Sequence, residues 1–303
     1  MVSRREVAAF VALTAIWGTT WAAIRVGLTG IPPLAGLAAR FLLAGAILLA
    51  IAVARGVPLG RSALERRLWW VNGIATFLVP YTVIYWAEQW VPSGLSSVLF
   101  STFPLWVVVL GLWILPHERA SGARRAGVAL GFLGVAVLFS EDFTRLGGLH
   151  VRLPAAVLVA GAAVSASGSL AMRRWGGGVS PLSLTAIPML GTGLATGLGA
   201  LWLERDRPWN FGPAAVAATV YLALFGSAVT FTIYFWLLKR RTAMTASLVS
   251  YTAPVVAVAV GTLAFDEPFT LRSAIGAVLV LAGVAAALAG GRPARLREVR
   301  EGG

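Results

Sequence analysis

The 303-residue chain contains no cysteine and only two histidines, His117 and His150, both in breaks between apolar stretches. Without cysteine there are no disulfides and no thiolate chemistry. The placement of the histidines leaves the apolar stretches without a Ser/His pair or a metal-ligand cluster, so hydrolytic and metal-dependent catalysis lack their groups. We expect no enzyme activity and no cofactor. Acidic residues are scarce as well, 12 against 25 basic ones, and none lies in the middle of an apolar stretch. This argues against a relay of buried carboxylates of the kind that drives proton-coupled efflux of cationic drugs. Charged residues of both signs make up 12% of the chain, too few to cover a soluble core with polar surface.

What the chain has in quantity is apolar surface: 58% of its residues are hydrophobic, and the mean hydropathy is +0.82. A helix needs about 20 apolar residues to cross roughly 30 Å of hydrocarbon. Ten such windows are present, near residues 7–28, 33–54, 68–87, 93–115, 121–140, 153–172, 180–203, 213–238, 242–264 and 270–290. The first follows Arg4 and Arg5 as a signal peptide would, but it is longer than a signal core and lacks a clean cleavage site, which predicts a retained helix.

The formal charge of +13 is spread in short clusters between the windows, not along one stripe, so nucleic acid is not an expected partner. With a cytoplasmic N-terminus, 18 of the 25 basic residues fall on the inner side, in groups at Arg4, Arg55, Arg119, Arg173, Lys239 and the tail from Arg292. Five fall outside (Arg145, Arg152, Arg205, Arg207 and Arg272), and Arg25 and Arg40 lie within windows. The asymmetry predicts an inner-membrane, multi-pass protein with both termini cytoplasmic.

The two halves repeat. SSVLFSTFPLWVVVLG at 96–111 matches ASLVSYTAPVVAVAVG at 246–261, with Pro104 on Pro254 and Gly111 on Gly261, and YTVIYW at 81–86 matches FTIYFW at 231–236 at the same spacing of 150. Glu118, Gly127 and Gly134 match Glu267, Gly276 and Gly283 after a one-residue slip. Each unit holds five windows, and a second copy of an odd-numbered unit must enter the membrane upside down. The predicted units are residues 1–145 and 146–291, followed by a basic cytoplasmic tail at 292–303.

Proline inside a helix removes a donor and strips the carbonyl four residues earlier of its partner. Pro104 and Pro254 are therefore predicted kink positions, with Phe100 and Ser250 losing their helical bonds. Lipid cannot satisfy such groups, whereas a protein-lined wet cavity can, and helices broken at matching places of two halves mark a transporter's midplane site. Helical spacing puts Ser97 and Ser101 on the face of Pro104, and Ser247 and Tyr251 on the face of Pro254. These hydroxyls are expected to line a cavity, to repair the backbone, or to do both.

Trp17 and Thr20 of the first window, with Trp21 beside them, Tyr81 and Tyr85 of the third, Ser165 and Ser169 of the sixth and Tyr234 of the eighth are further candidates for substrate binding. For the aromatic residues the competing role is packing or an interfacial belt, where Trp69, Trp70, Trp90, Trp202 and Trp209 are expected. For Ser165 and Ser169 it is close helix contact.

Arg40 sits seven residues into the second window, at a depth of about 10 Å. Such a charge could hold a substrate carboxylate, snorkel outward, or pair with Glu88. Arg25 reads as an interfacial anchor, and Glu118 and Glu267 as acids facing the N-termini of the fifth and tenth helices. Gly127 with Gly131, and Gly193 with Gly197, fit close helix packing inside the chain or a weak dimer. WGGGVSP at 175–181 reads as a flexible connection.

AIWGTTWAAIRVGL at 15–28, followed by PPLAGLAARFLLAGA at 32–46, resembles the opening of EamA-type members of the drug/metabolite transporter superfamily. The proline-centred stretches, each followed by a glutamate and a glycine-rich stretch, resemble that family's repeat, and the likeness runs from about residue 7 to residue 290. It implies an all-α membrane protein of ten transmembrane helices in two inverted five-helix repeats around a central cavity, and export or exchange of small metabolites. The chain departs from symmetry at Ser165, which stands where the first half has Trp17. Amino acids or other carboxylate-bearing solutes are the expected cargo. Nucleosides or other neutral polar metabolites, or a receptor or scaffold without transport, are the alternatives. The expected partners are the solute, the bilayer and at most a second copy in a weak homodimer.

Overall fold

The computed structural model describes residues 3–91, 93–118, 120–138, 149–264 and 270–289. Arg119, Arg145, Glu267 and the tail at 292–303 lie outside these residues. Within them the regular structure is helical: α1 Arg4–Gly27, α2 Pro33–Ala54, α3 Ala63–Ala87, α4 Ser93–Phe100, α5 Phe103–Ile114, α6 Gly122–Leu138, α7 Leu149–Trp175, α8 Pro181–Leu203, α9 Pro213–Arg240, α10 Ala243–Ser247, α11 Val249–Ala264 and α12 Leu271–Ala289. Seven helical stretches are long and apolar enough to cross a membrane, counting Leu95–Ile114 as one stretch interrupted between α4 and α5; Ala243–Ala257 and Ala274–Ala289 are shorter and also apolar.

The outer face is rich in bare hydrocarbon. Leu198, Leu201 and Val278 are each about two-thirds exposed, and Trp70 and Trp202 about three-quarters. In water such a surface would drive aggregation, whereas lipid accepts it. The protein is a multi-pass membrane protein.

Local chemistry sets the helix ends. Ser3 and Glu6 form a reciprocal cap at the start of α1. Proline at or beside the first helical position opens α2, α8 and α9, where its missing N–H costs nothing. The free N–H groups of Leu34 and Ala35 donate to the Glu204 carboxylate at 3.0 Å each, so an acid at the end of α8 caps α2.

The proline stretches are both interrupted, but not at equivalent residues. α4 gives way to α5 at Ser101 and Thr102, with Pro104 in the first turn of α5. The second break falls at Leu248, and Pro254 lies inside α11. A second pair of irregularities carries no proline signature at its own centre: π-helical turns at Gly73–Leu78 in α3 and Leu224–Val229 in α9. Their starts agree with the 150-residue repeat to within one residue, and π turns recur at functional places in helices.

Two glycine seams hold the flanks. A Cβ at Gly127 would lie 2.5 Å from the Ala287 nitrogen, and one at Gly134 would lie 2.5 Å from the Val280 nitrogen, so α6 and α12 meet backbone to backbone. Gly45 and Gly193 do the same between α2 and α8, against Leu190 and Leu42. Gly127, Gly131 and Gly193 thus serve packing within the chain. The remaining contacts pair off under exchange of the halves: α1 packs on α9 and α11, and α7 packs on α3 and on α5. At the centre, Phe41, Phe77 and Phe231 meet edge to face, with ring centroids 5.5 and 4.8 Å apart.

Candidate functional site

Between α1, α3, α4, α5, α7, α9 and α11 lies a cavity with about 90 Å³ of space for water centres. α1 contributes Trp17, Thr20, Trp21 and Ile24; α3 contributes Thr76, Tyr81 and Ile84. Ser97, Phe100, Ser101 and Phe103 surround the first helix break, Ser165 and Ser169 come from α7, Phe231 and Tyr234 from α9, and Ser250 and Ala253 from α11. The wall is aromatic and hydroxylic, and among the described residues that line it none is charged.

One aromatic corner is assembled across the two halves. The Trp17 ring lies 5.5 Å from Tyr234 and 5.6 Å from Phe231, and the Tyr234 and Ser169 hydroxyls are 2.6 Å apart. Two polar atoms of the wall, Trp17 Nε1 and Thr76 Oγ1, are buried without a hydrogen-bond partner. Buried polar groups are nearly always paired, so an indole donor and a hydroxyl left over among the wall residues are exceptions to that rule.

Ser101 settles the choice between lining a cavity and repairing backbone, because it does both. Its hydroxyl reaches the Ser97 carbonyl at 2.7 Å and, across the halves, the Ser250 carbonyl at 2.9 Å. Ser250 is four residues before Pro254, so the carbonyl that one half's proline strips of its partner is served by the other half's serine.

Eight of the twelve predicted binding residues face this cavity: Trp17, Thr20, Tyr81, Ser97, Ser101, Ser165, Ser169 and Tyr234. Four do not. Ser247 donates to the Met244 carbonyl at 2.7 Å, within its own short helix. Tyr251 turns away toward α6, its ring against Gly131 and its hydroxyl on the Val128 carbonyl at 2.9 Å. Tyr85 is buried, with its ring toward Gly36 of α2.

Arg40 neither snorkels nor pairs with Glu88. It is 1% exposed and crosses behind Tyr81, 4.7 Å from that ring. Its Nε donates to Ser227 Oγ at 2.7 Å and Nη2 to the Gly226 carbonyl at 2.9 Å, both in the π turn of α9. It therefore ties the halves together one layer behind the cavity wall. Glu118 is likewise a tie: it binds Arg173 at 2.6 Å and the Ala243 N–H at 3.3 Å, serving the start of α10 and not the fifth apolar helix.

These placements give a sharp expectation for Tyr251→Phe. Losing one neutral hydrogen bond should cost about 1 kcal/mol, visible as a small drop in melting temperature in detergent, with transport unchanged. A large transport defect at unchanged stability would return Tyr251 to the site.

Of the lining residues outside the predicted set, two had a legible signal. Phe231 is the 150-residue counterpart of Tyr81, and Ser250 that of Phe100. Thr76 had none, since its orientation follows from the π turn.

An apolar-surfaced helical bundle around a cavity lined by rings and hydroxyls from two similar halves defines a membrane transporter. The model of the EamA-like transporter family matches residues 4–140 and again residues 153–289, and the chain belongs to that family, within the drug/metabolite transporter superfamily. Among its relatives, the inner membrane transporter YedA of Escherichia coli K12 is 31% identical over 261 residues, 84% of this chain and 81% of YedA. The protein PagO of Salmonella typhimurium is 26% identical over 275 residues, 91% of this chain and 90% of PagO. A protein solved by crystallography, 24% identical, matches with a TM-score of 0.80 over 96% of this chain and 100% of its own, which shows the shared fold.

Proposed function

We propose that the protein is an alternating-access exporter or exchanger of small, net-neutral metabolites, with amino acids as the leading class. In this reading ten spans form two five-span repeats, residues 1–145 and 146–291, inserted in opposite senses in the inner membrane with both termini cytoplasmic. The exchange of helix pairs between the halves and the charge asymmetry of the connections support that arrangement. Rocking of the halves would expose the central cavity to each side in turn.

The observation that carries the reading is the cavity wall itself: hydroxyls and rings from both halves, with an unpartnered indole N–H and an unpartnered threonine hydroxyl, and no charged side chain among the described lining residues. A net-neutral zwitterion with an apolar side chain suits it. The same lack of charge in the wall favours, as the second reading, a neutral polar solute such as a nucleoside, because Arg40 lies behind Tyr81 and not in the wall.

The test is thermal stabilisation of the purified protein against twenty amino acids and the common nucleosides, followed by counterflow in proteoliposomes. A ligand at 100 times its dissociation constant stabilises the native form by about 2.7 kcal/mol. Stabilisation and counterflow by amino acids support the first reading, and by nucleosides alone the second. Stabilisation without flux would indicate a receptor, and neither effect from either class would overturn both readings.

A further inference from the structure

Three acids are deeply buried among the described residues, and they differ in one respect. Glu65 accepts from Ser183 and the Arg61 N–H, and Glu204 accepts from two N–H groups and so caps α2. Glu88, one residue past the end of α3, is 0% exposed, and neither of its carboxylate oxygens has a hydrogen-bond partner.

The groups that bear on it are Arg25 from α1, Arg40 from α2 and Tyr85 from its own helix. Arg25 spends a guanidinium N–H on the Glu88 backbone carbonyl, at 2.8 Å. Arg40 is held by Ser227 and Gly226, and its Nη1 has no partner. Arg207 reaches only the neighbouring Gln89 side chain.

An ionised carboxylate taken out of water without donors costs several kcal/mol even after relaxation, whereas the neutral acid costs far less. Its place at the C-terminal end of α3 adds to this, because the helix dipole there disfavours negative charge. Burial pushes the Glu88 carboxyl well above the ordinary carboxylate range, and Arg25 and then Arg40 pull part of the way back. The lack of mid-span acids argued against a proton relay, yet an acid at a helix end is here as dry as any at the middle. On one side Glu88 borders Gln89 and Trp90, which lead to the surface; one turn back on the other side, Ile84 lines the cavity.

We propose that Glu88 is a proton-binding site coupled to transport: it holds a proton while Arg40 is bound to α9, and releases it when movement of the halves frees Arg40 to pair with it. This rests on the alternating-access reading. With Nε and Nη2 held by the π turn, the remaining Nη1 lies out of hydrogen-bond reach of the Glu88 carboxylate, so ionising that carboxylate favours a relation of the halves that frees Arg40, and proton occupancy becomes linked to it.

The experiment uses the full chain in liposomes, comparing wild type with Glu88→Gln and Glu88→Asp. Infrared difference spectra should show a protonated carboxyl band in the wild type at neutral pH that is missing in Glu88→Gln. The raised carboxyl makes wild-type stability greatest at low pH and lowers it as pH rises through the folded-state value, a decline that Glu88→Gln should lack. With labelled amino acids as the cargo, an imposed pH gradient should drive accumulation in the wild type. Glu88→Gln should keep counterflow at the wild-type rate and lose accumulation, and Glu88→Asp should retain both.

Accumulation by Glu88→Gln equal to wild type, or a protonated band unchanged by that substitution, would overturn the proposal. If the wild type moves no amino acid, the cargo reading fails on its own, and the infrared band with its pH dependence still decides whether Glu88 binds the proton.

Discussion

Ser169→Phe should abolish transport while leaving a folded protein. Ser169 lines the cavity and shares a hydrogen bond with Tyr234, so a phenyl ring at this position intrudes on a space of only about 90 Å³. We expect counterflow to fall on the order of 100-fold or more, equivalent to about 2.7 kcal/mol of lost binding. Ser169→Ala is the control, since it removes the hydrogen bond and adds no bulk, and it should cost only about 1 kcal/mol in stability. The size-exclusion profile of Ser169→Phe should stay close to wild type, with a melting temperature lowered about as much as in Ser169→Ala, since both lose the bond to Tyr234. Equal flux in both variants would show that solute does not pass this wall.

Gly283→Leu should have the largest effect on folding. A Cβ at Gly283 would meet the Gly131 nitrogen and approach the Gly127 carbonyl to 2.7 Å, and none of these atoms belongs to a side chain that could turn aside. α6 and α12 would have to separate along their seam. Overpacking of a close-fitting core costs about 1–3 kcal/mol where side chains can adjust, and here the backbone itself must move. Loss of most folded protein, read as yield and melting temperature, is the expected result. Gly191→Ala is the matched control, because nothing lies within 4 Å of the added carbon, and helix propensity alone predicts a gain of up to ~1 kcal/mol. Similar stability of Gly283→Leu and wild type would contradict the seam.

Much of this architecture was legible in the residues, because hydrocarbon imposes a length and a polarity that few sequences meet by chance. The apolar windows and the helices coincide to within a few residues over most of the chain. The cavity was legible where a polar or aromatic residue recurred on the face of a predicted break, as with Ser97, Ser101 and Tyr234. It was not legible where a helix departs from 3.6 residues per turn. The two proline stretches break at different points, Ser101–Thr102 in the first and Leu248 in the second, so equal spacing in the sequence places Ser101 in the cavity and its counterpart Tyr251 against α6. Arg40 was recognised as a charge within a span, but its partners in the other half are the Ser227 hydroxyl and the Gly226 carbonyl, neither of which is an opposite charge that a residue pattern would single out.

The bond from Ser101 to the Ser250 carbonyl has a consequence for selectivity. That oxygen is the polar acceptor the second half offers at its kink, and it is already occupied by a hydroxyl that also reaches the Ser97 carbonyl. A solute bearing its own N–H or O–H can displace the serine without stranding it, since the hydroxyl falls back on Ser97. A solute that can only accept gains nothing there. In the proposed cycle, discrimination at this point therefore runs by what a molecule can donate, and methylating a cargo's donors should cost it this contact.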